Sequence, residues 1–510
     1  MDDRIAKPEQ TTTPARGGVQ WRDLREFLAL IDRHGLLKTI DQPVDPDREL
    51  AAISIMATAE NEAAPAFLFR SFPNNPLGAS VVTNMLGSSR QRYALAMGLD
   101  PEASLRELVS QTRQLMTARL RPTEIAPEAA PVNEVIETGA DIDLTRLPVP
   151  TFWPGDGGPY IGTANAVFTR GPDSPRINVG CYRQMLQGPD RVGMYITAGK
   201  HGRIDRDGWW QRGEPCEVVA AFGVDPVLFM MAGSGFSKDE SELDVAGGIM
   251  GRPVELTRGV FGSLPIPARA ELVVEGILRP GATELEGPLG EFTGYFGNER
   301  GPQPVIEVKA VHRRKSPIIT SAIMARYPSS ELGTGFAIMR SSRVLDDLTK
   351  LGVPGIEGVY ATPAALGGYA MLVVSIRQMY PGHSAQVLGL AAQCPAAAFF
   401  TKWIVVVDHD VDPTDFNQVL WALSTRVNAT EDLDILRNTW STPLDPPRFP
   451  ASERPYGSKV LINACKNYRH YATFPKETRL DRATYEKVRA RWKELGLTGR
   501  PPDVRVFHGD

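Results

Sequence analysis

With 510 residues the chain is too long for a single hydrophobic core, so two or three domains are expected. A formal net charge of −4 gives no basic footprint for nucleic acid, and its apolar stretches, such as residues 369–376 and 403–407, are far too short to span a bilayer. The 42% hydrophobic and 23% charged residues, with 47 glycines and 42 prolines, are the composition of a turn-rich globular α/β enzyme.

Residues 1–18 are polar, include Thr-Thr-Thr-Pro and lack the apolar core of a signal peptide, so they read as a disordered tail. The four cysteines, Cys181, Cys216, Cys394 and Cys465, form no CxxC pair, which points away from a zinc ribbon or disulfide framework and towards a reducing cytoplasm. Trp21, Leu24, Phe27, Leu28 and Ile31 recur at helical spacing, and Gly35 follows as a C-cap. A second helix is predicted to start near Asp45-Pro46-Asp47, followed by strands over 66–69 and 80–83 and helices over 90–97 and 105–118. Residues 121–131, rich in Pro and Ala, read as a linker. Many short strands then follow, at 163–168, 176–179, 192–196, 227–230, 270–277 and 305–311, as in a barrel or strongly curved sheet. Beyond Pro317, β-branched runs at 369–376 and 403–407 read as buried parallel strands, with helices at 337–351 and 385–392 and a last helix at 482–495.

Three features could carry chemistry. Glu286 and Glu291 flank a Gly-Pro-Leu-Gly segment, and a loop that fixes two carboxylates suits general acid–base work, although solvated turn residues would look the same. Asn178, Arg183 and His201 fall in a stretch of strands and turns. Asn178 and His201 offer oxygen and nitrogen ligands, and Glu242 could complete a set suited to Mn²⁺ or Mg²⁺. A hydrogen-bonded histidine and a solvated acidic loop explain the same residues, and no compact metal motif joins them.

In order and spacing these segments resemble the UbiD family of reversible decarboxylases, from about Trp21 to Lys476. Asn178-Val-Gly-Cys-Tyr-Arg183, Ala-Gly-Lys200-His201-Gly, Glu242-Leu-Asp-Val-Ala-Gly-Gly, Gly251-Arg-Pro-Val-Glu-Leu, Glu286-Gly-Pro-Leu-Gly-Glu291, Lys402 and Leu420-Trp-Ala-Leu-Ser-Thr-Arg426 carry the resemblance. It implies an α/β (α+β multidomain) protein: an N-terminal α+β region (19–120), a split β-barrel flavin-binding domain (121–320), a C-terminal α/β oligomerisation domain (321–480), and a last helix and tail (481–510). It also implies prenylated FMN as cofactor, supplied by a flavin prenyltransferase, with Mn²⁺ (or Mg²⁺) on Asn178, His201 and Glu242 and K⁺ nearby. Arg183, Lys200 and Lys402 would join those three around the cofactor. Arg183, Glu286 and Glu291 would form the catalytic set, with the substrate held in a covalent adduct and Glu291 delivering the proton.

An aromatic, heteroaromatic or conjugated carboxylate would lose CO₂ in such an enzyme, a cytoplasmic homodimer or larger homo-oligomer. Met185, Phe292, Met324, Tyr327 and Leu390 are candidate pocket residues, and Glu331 is given at most a supporting role. The loop Ala232-Gly-Ser-Gly-Phe236 departs from the family by lacking a Met-Pro pair. An inactive flavin- or metal-binding homologue and a two-carboxylate hydrolase are the competing readings.

Overall fold

The computed structural model describes residues 18–297, 299–446, 456–502 and 506–507. The tail expected at the N-terminus lies, up to residue 17, outside the described residues. The chain divides into two compact units, one ending at Ala464 and one beginning at Cys465.

At the centre of the first unit is a curled nine-stranded sheet. Its long members, Leu272–Glu286 and Gly301–Arg313, pair antiparallel, with register shifts at Glu275/Gly276 and Leu278/Thr283 that bend the ladder. Cys216–Phe222 pairs with Leu272–Glu286 on one side and with Asn165–Thr169 on the other. Both faces of this sheet are covered. Phe168, Val219, Ala221 and Val273 pack into one core cluster, while Val167, Val218, Ala220 and Val274 pack into another. A strand buried on both faces needs no polar alternation, which is why these segments read as continuous apolar runs.

Beside it, a four-stranded sheet joins Leu37–Ile40, Ala66–Phe69, Ser80–Thr83 and Ile318–Thr320, packed against the Leu24–Arg33 helix. The second of the large sheets has five strands in the order Ile356–Ala361, Met371–Ile376, Trp403–Asp408, Tyr456–Ala464 and Leu433–Trp440. Its middle strands are parallel, as their unbroken β-branched runs predict. In it, the buried Lys459 ammonium donates to the carbonyls of Ala392, Ala397 and Ala398, tying down the end of the His383–Gln393 helix and the turn that presents Phe399.

Three local expectations are corrected. Residues 227–230 are not a strand but part of the Pro226–Gly233 helix. A short, wholly apolar run cannot be assigned by periodicity, and the start signal decides: Asp225 caps the Leu228 amide and Pro226 occupies the first turn. Residues 121–131 are not a free linker, because Thr123–Glu124 pairs with Glu255 and Leu256 and two 3₁₀ turns follow. The last helix is shorter than predicted, Arg482–Ala490.

Candidate active site

A cavity of about 330 Å³ opens beside the curled sheet. Asn178 enters it from the first residue of the Asn178–Gly180 strand, and Arg183 from the turn just beyond. His201 was read within a stretch of strands and turns, and an acidic loop was the plain alternative for Glu242. Instead, each is the first residue of a helix, His201–Gln211 and Glu242–Met250, and both line the cavity. The positive end of a helix dipole is therefore presented at the cavity twice, an arrangement that favours an anion such as a phosphate.

Asn178, His201 and Glu242 converge. The Asn178 amide nitrogen donates to Thr169 Oγ1 and Tyr182 Oη, which leaves its carbonyl oxygen as the group available to a cation. Glu242, 2% exposed, accepts from Arg176 Nη2 at 2.6 Å and from the Val179 amide at 3.4 Å. His201 Nδ1 lies 3.5 Å from Arg176 Nη1. Burial pushes the Glu242 carboxyl up to about 7, against the pull of Arg176, and burial likewise lowers the His201 imidazole. One neutral imidazole, one amide oxygen and one buried carboxylate form a mixed donor set that fits Mn²⁺ or Mg²⁺. Among the described residues no cluster of three His, Cys, Asp or Glu side chains forms a metal site, so the asparagine is needed to complete the set.

The acidic cluster reaches the same cavity through Arg183 and Glu291, while Glu286 is buried outside its wall. Glu286 ends the 15-residue Leu272–Glu286 strand, and the chain turns through Gly287-Pro288 to Glu291. Arg183 Nη2 donates to Glu286 Oε2 at 2.9 Å and Nη1 to Glu291 Oε1 at 3.0 Å, so one guanidinium holds both carboxylates. Its face lies 4.3 Å from the centre of the Tyr195 ring, and its Nε is buried with no hydrogen-bond partner among the described residues. Burial works against the Arg183 charge, but the two carboxylates outweigh it and raise its pKa. Burial raises the Glu291 carboxyl as well, with Arg183 opposing.

Three residues that the sequence reading did not single out organise the two clusters. Tyr160 Oη donates to Glu286 Oε1 at 2.8 Å, filling the carboxylate's second oxygen. Asp156 accepts from the Phe152 and Trp153 amides at 3.1 and 2.8 Å and from the Gly290 amide at 2.9 Å, next to Glu291 in the chain. Close contact seals the arrangement, since a Cβ at Gly157 would sit 2.0 Å from the Gly287 carbonyl oxygen. Arg176 is the third, through its bond to Glu242. A signal for Asp156 was present in Trp153-Pro-Gly-Asp-Gly-Gly-Pro159, where a carboxylate stands among glycines whose backbone can approach closely.

The remaining expected residues divide. Lys200 precedes the His201 helix and lines the cavity, its ammonium 5.0 Å from the Phe399 ring centre; burial lowers its pKa. Lys402 does not line the cavity. It pairs with buried Asp445 at 2.6 Å, on the turn that supplies the wall residues Thr442 and Leu444. Phe292 and Met324 line the cavity, whereas Met185 packs with Tyr160 and Leu289, Leu390 is absent from the wall and Tyr327 borders a neighbouring cavity. Glu331 is buried elsewhere, accepting the Leu86 amide at 2.7 Å and the Gly87 amide at 3.3 Å.

Family models described as the N-terminal, Rift-related and C-terminal domains of 3-octaprenyl-4-hydroxybenzoate carboxy-lyase match residues 28–112, 123–327 and 335–464. The UbiD-class enzyme HmfF of Pelotomaculum thermopropionicum, solved with FMN, is 30% identical over 90% of this chain and 97% of its own, with a TM-score of 0.78. The chain belongs to the UbiD family of decarboxylases. Other solved UbiD-type structures agree. Vanillic acid decarboxylase of Sedimentibacter hydroxybenzoicus is 27% identical, with 94% of this chain and 99% of its own covered and a TM-score of 0.82. The 3,4-dihydroxybenzoic acid decarboxylase of Klebsiella pneumoniae is 28% identical, with 90% and 97% covered and a TM-score of 0.77. An evolved dimeric form of HmfF is solved with prenylated FMN. Among the described residues no helix is long and apolar enough to cross a membrane.

Proposed function

We propose that this UbiD-family protein is a prenylated-FMN-dependent decarboxylase that exchanges the carboxylate of an aromatic, heteroaromatic or conjugated acid for a proton. The observation that carries the reading is the Arg183 fork, which holds buried Glu286 and presents Glu291 on the wall of a cavity also lined by two helix N-termini. Residues for a proton and residues for a phosphate thus meet in one space.

Asn178, His201 and Glu242 would hold Mn²⁺ or Mg²⁺, and that cation, with Lys200 and the helix N-termini, would neutralise the cofactor phosphate; K⁺ is expected close by. Divalent charge would also keep the Glu242 carboxylate ionised despite its burial. Phe292, Tyr369 and Phe399 give the cavity an aromatic side fit for a ring system, with ring centres 5.8 Å apart for the first pair and 6.5 Å for the second. When bound, prenylated FMN supplies the electron sink for the breaking C–C bond.

The protein's own part is to place charge and move one proton. Arg183 fixes both carboxylates at once. Glu286 is committed on both oxygens, to Arg183 and Tyr160, and serves as an anchor. Glu291 has one bond to Arg183, and burial keeps its proton on to higher pH than an ordinary glutamate. It is the proton donor: the proton on its carboxyl passes to the carbon that CO₂ leaves, and Glu291 is reprotonated from water. The reverse sequence carboxylates the same carbon.

We also read residues 19–120, 121–320 and 321–480 as the three domains of the family, with a homodimer or larger assembly formed through the last. Exposed Leu420, Trp421, Leu433 and Ile435 on the Phe416–Arg426 helix and the Leu433–Trp440 edge strand support that assembly. A cytoplasmic setting is in keeping with four free cysteines.

The test is co-production with a flavin prenyltransferase, mass spectrometry of the small molecule released on denaturation, and assay of CO₂ release from a panel of aromatic acids. Prenylated FMN with turnover supports the reading. Plain FMN or none, with Mn²⁺ supplied and no turnover, replaces it with an inactive homologue.

A further inference from the structure

The Thr334–Lys350 helix reaches the cavity through Phe336 and packs tightly on two parts of its wall. A Cβ at Gly233 would stand 2.7 Å from Phe336 Cε1, and one at Gly368, at φ +86°, would stand 3.0 Å from Ala337 Cα. Gly233 leads into Ser234, Gly235 and Phe236, and Gly368 into Tyr369, all of which line the cavity.

Arg340 and Arg343 are three residues apart on this helix and so share one face of it. Their contacts run in parallel. Arg340 Nη2 donates to the Phe399 carbonyl at 3.1 Å and to Thr401 Oγ1 at 2.6 Å, and its guanidinium lies 4.6 Å from the centre of the Tyr369 ring. Arg343 Nη1 donates to the Gly235 carbonyl, and its guanidinium lies 4.5 Å from the centre of the Phe236 ring. Each arginine therefore takes one backbone carbonyl and one ring from residues of the cavity wall, and neither lines the cavity itself. Residues 232–236 hold two glycines and no proline, so their own chain does little to fix them.

Charge is the second observation. Arg340 is held by neutral partners, its Nε has no hydrogen-bond partner among the described residues, and burial lowers its guanidinium to about 10. Arg343 has one acid within ion-pair reach among the described residues, Glu240 at 3.9 Å, which Arg119 and the Ser237 amide already engage. A guanidinium kept from water with no carboxylate of its own is costly unless another anion balances it.

We propose that Arg340 and Arg343 are positioning residues for the cofactor: Arg340 holds the Tyr369 and Phe399 wall, Arg343 holds the Gly235–Phe236 segment, and their charge favours the anionic phosphate. The two differ in one respect. Glu240, beside Arg343, lies two residues before Glu242, so Arg343 also steadies the metal side, whereas Arg340 makes no contact with that segment. The proposal rests on the prenylated-FMN reading above.

In the experiment, flavin-free protein is titrated with FMN, followed by quenching of flavin fluorescence, and separately with Mn²⁺, followed by electron paramagnetic resonance. Arg340→Met, Arg340→Lys, Arg343→Met and Arg343→Lys are compared with the parent, with folding checked by circular dichroism and thermal melting. Arg340→Met should weaken FMN by about ten-fold or more and leave Mn²⁺ within about two-fold, whereas Arg343→Met should weaken both. Each lysine variant keeps the charge without the fork and should recover part of the FMN affinity. Should a methionine variant not fold, the lysine variant at that position replaces it, with a loss of about three-fold or more expected. Unchanged FMN affinity in the folded variants overturns the proposal. So does an equal loss of FMN and Mn²⁺ in every variant together with a lower melting temperature, which makes both arginines structural supports. A parent that binds no FMN and carries no prenylated FMN after co-production overturns the cofactor reading itself.

Discussion

Around Arg183, charge is balanced within the protein: one guanidinium faces two carboxylates, Tyr160 fills the free oxygen of Glu286, and Asp156 secures the backbone beside Glu291. Around Asn178, His201 and Glu242 the donors come instead from a strand start and two helix starts, and a partly exposed arginine, Arg176, lies against His201 and Glu242. The contrast separates two tasks. The group that must hold and release a proton, Glu291, is buried against one arginine, so burial and that charge set its pKa. Groups that must grip a charged cofactor keep part of their bonding capacity for it.

The largest effect should come from the proton donor. Glu291→Gln keeps the shape and one acceptor for Arg183 but carries no transferable proton, so turnover should fall by roughly two to four orders of magnitude with cofactor content unchanged. In the parent, activity should decline as pH rises through the raised Glu291 pKa, because the protonated form is the active one. Near-parent turnover of Glu291→Gln, in protein with full cofactor by absorbance, would remove Glu291 from its role.

Glu242→Ala should act in the opposite way, through loading. Bound Mn²⁺ and flavin, measured by metal analysis and absorbance, should drop by about ten-fold or more at limiting supply, and the turnover of the molecules that remain loaded should change little. If loading is intact and turnover alone is lost, the division between the two clusters is wrong.

A smaller effect is expected at Asp156, which touches only backbone. Asp156→Asn turns an NH₂ group towards amides that need an acceptor, so the Gly290–Glu291 peptide should lose its fixed orientation and kcat should fall by about ten-fold, with KM and flavin content nearly constant. A change confined to thermal stability would reduce Asp156 to a structural residue.

Lys402→Ala should do least to the bound flavin. Its partner is Asp445, and cofactor affinity should shift by less than about three-fold, through the turn that carries Thr442 and Leu444. A loss of affinity as large as that of Glu242→Ala would mean that Lys402 leaves Asp445 for the cofactor.

The sequence carried the elements whose signal is local. Ala66–Phe69 and Ser80–Thr83 form as read, and the buried runs at Met371–Ile376 and Trp403–Asp408 announced parallel strands. Pro226–Gly233 was misread because burial on all sides erases the helical period. Candidate site residues were legible through motif order, yet their convergence was not. Asn178 and Glu242 come together only because the strand and helix that carry them pack side by side, and no spacing encodes that. Asp156 and Tyr160 escaped because they act on a backbone amide and on another side chain, and a sequence shows a residue without its object. Lys402 was placed by motif alone, and its ion pair with Asp445 depends on a loop whose course is tertiary.

Glu286 closes a 15-residue strand hydrogen-bonded into the middle of the central sheet, whereas Glu291 stands just beyond it in a turn held by a few bonds, those to Arg183, Asp156 and the Tyr295 carbonyl among them. On warming, the turn has far fewer bonds to lose than the ladder. Heat inactivation should therefore run ahead of melting: the enzyme would stop delivering protons while its sheet is still intact, and cooling would restore it without refolding.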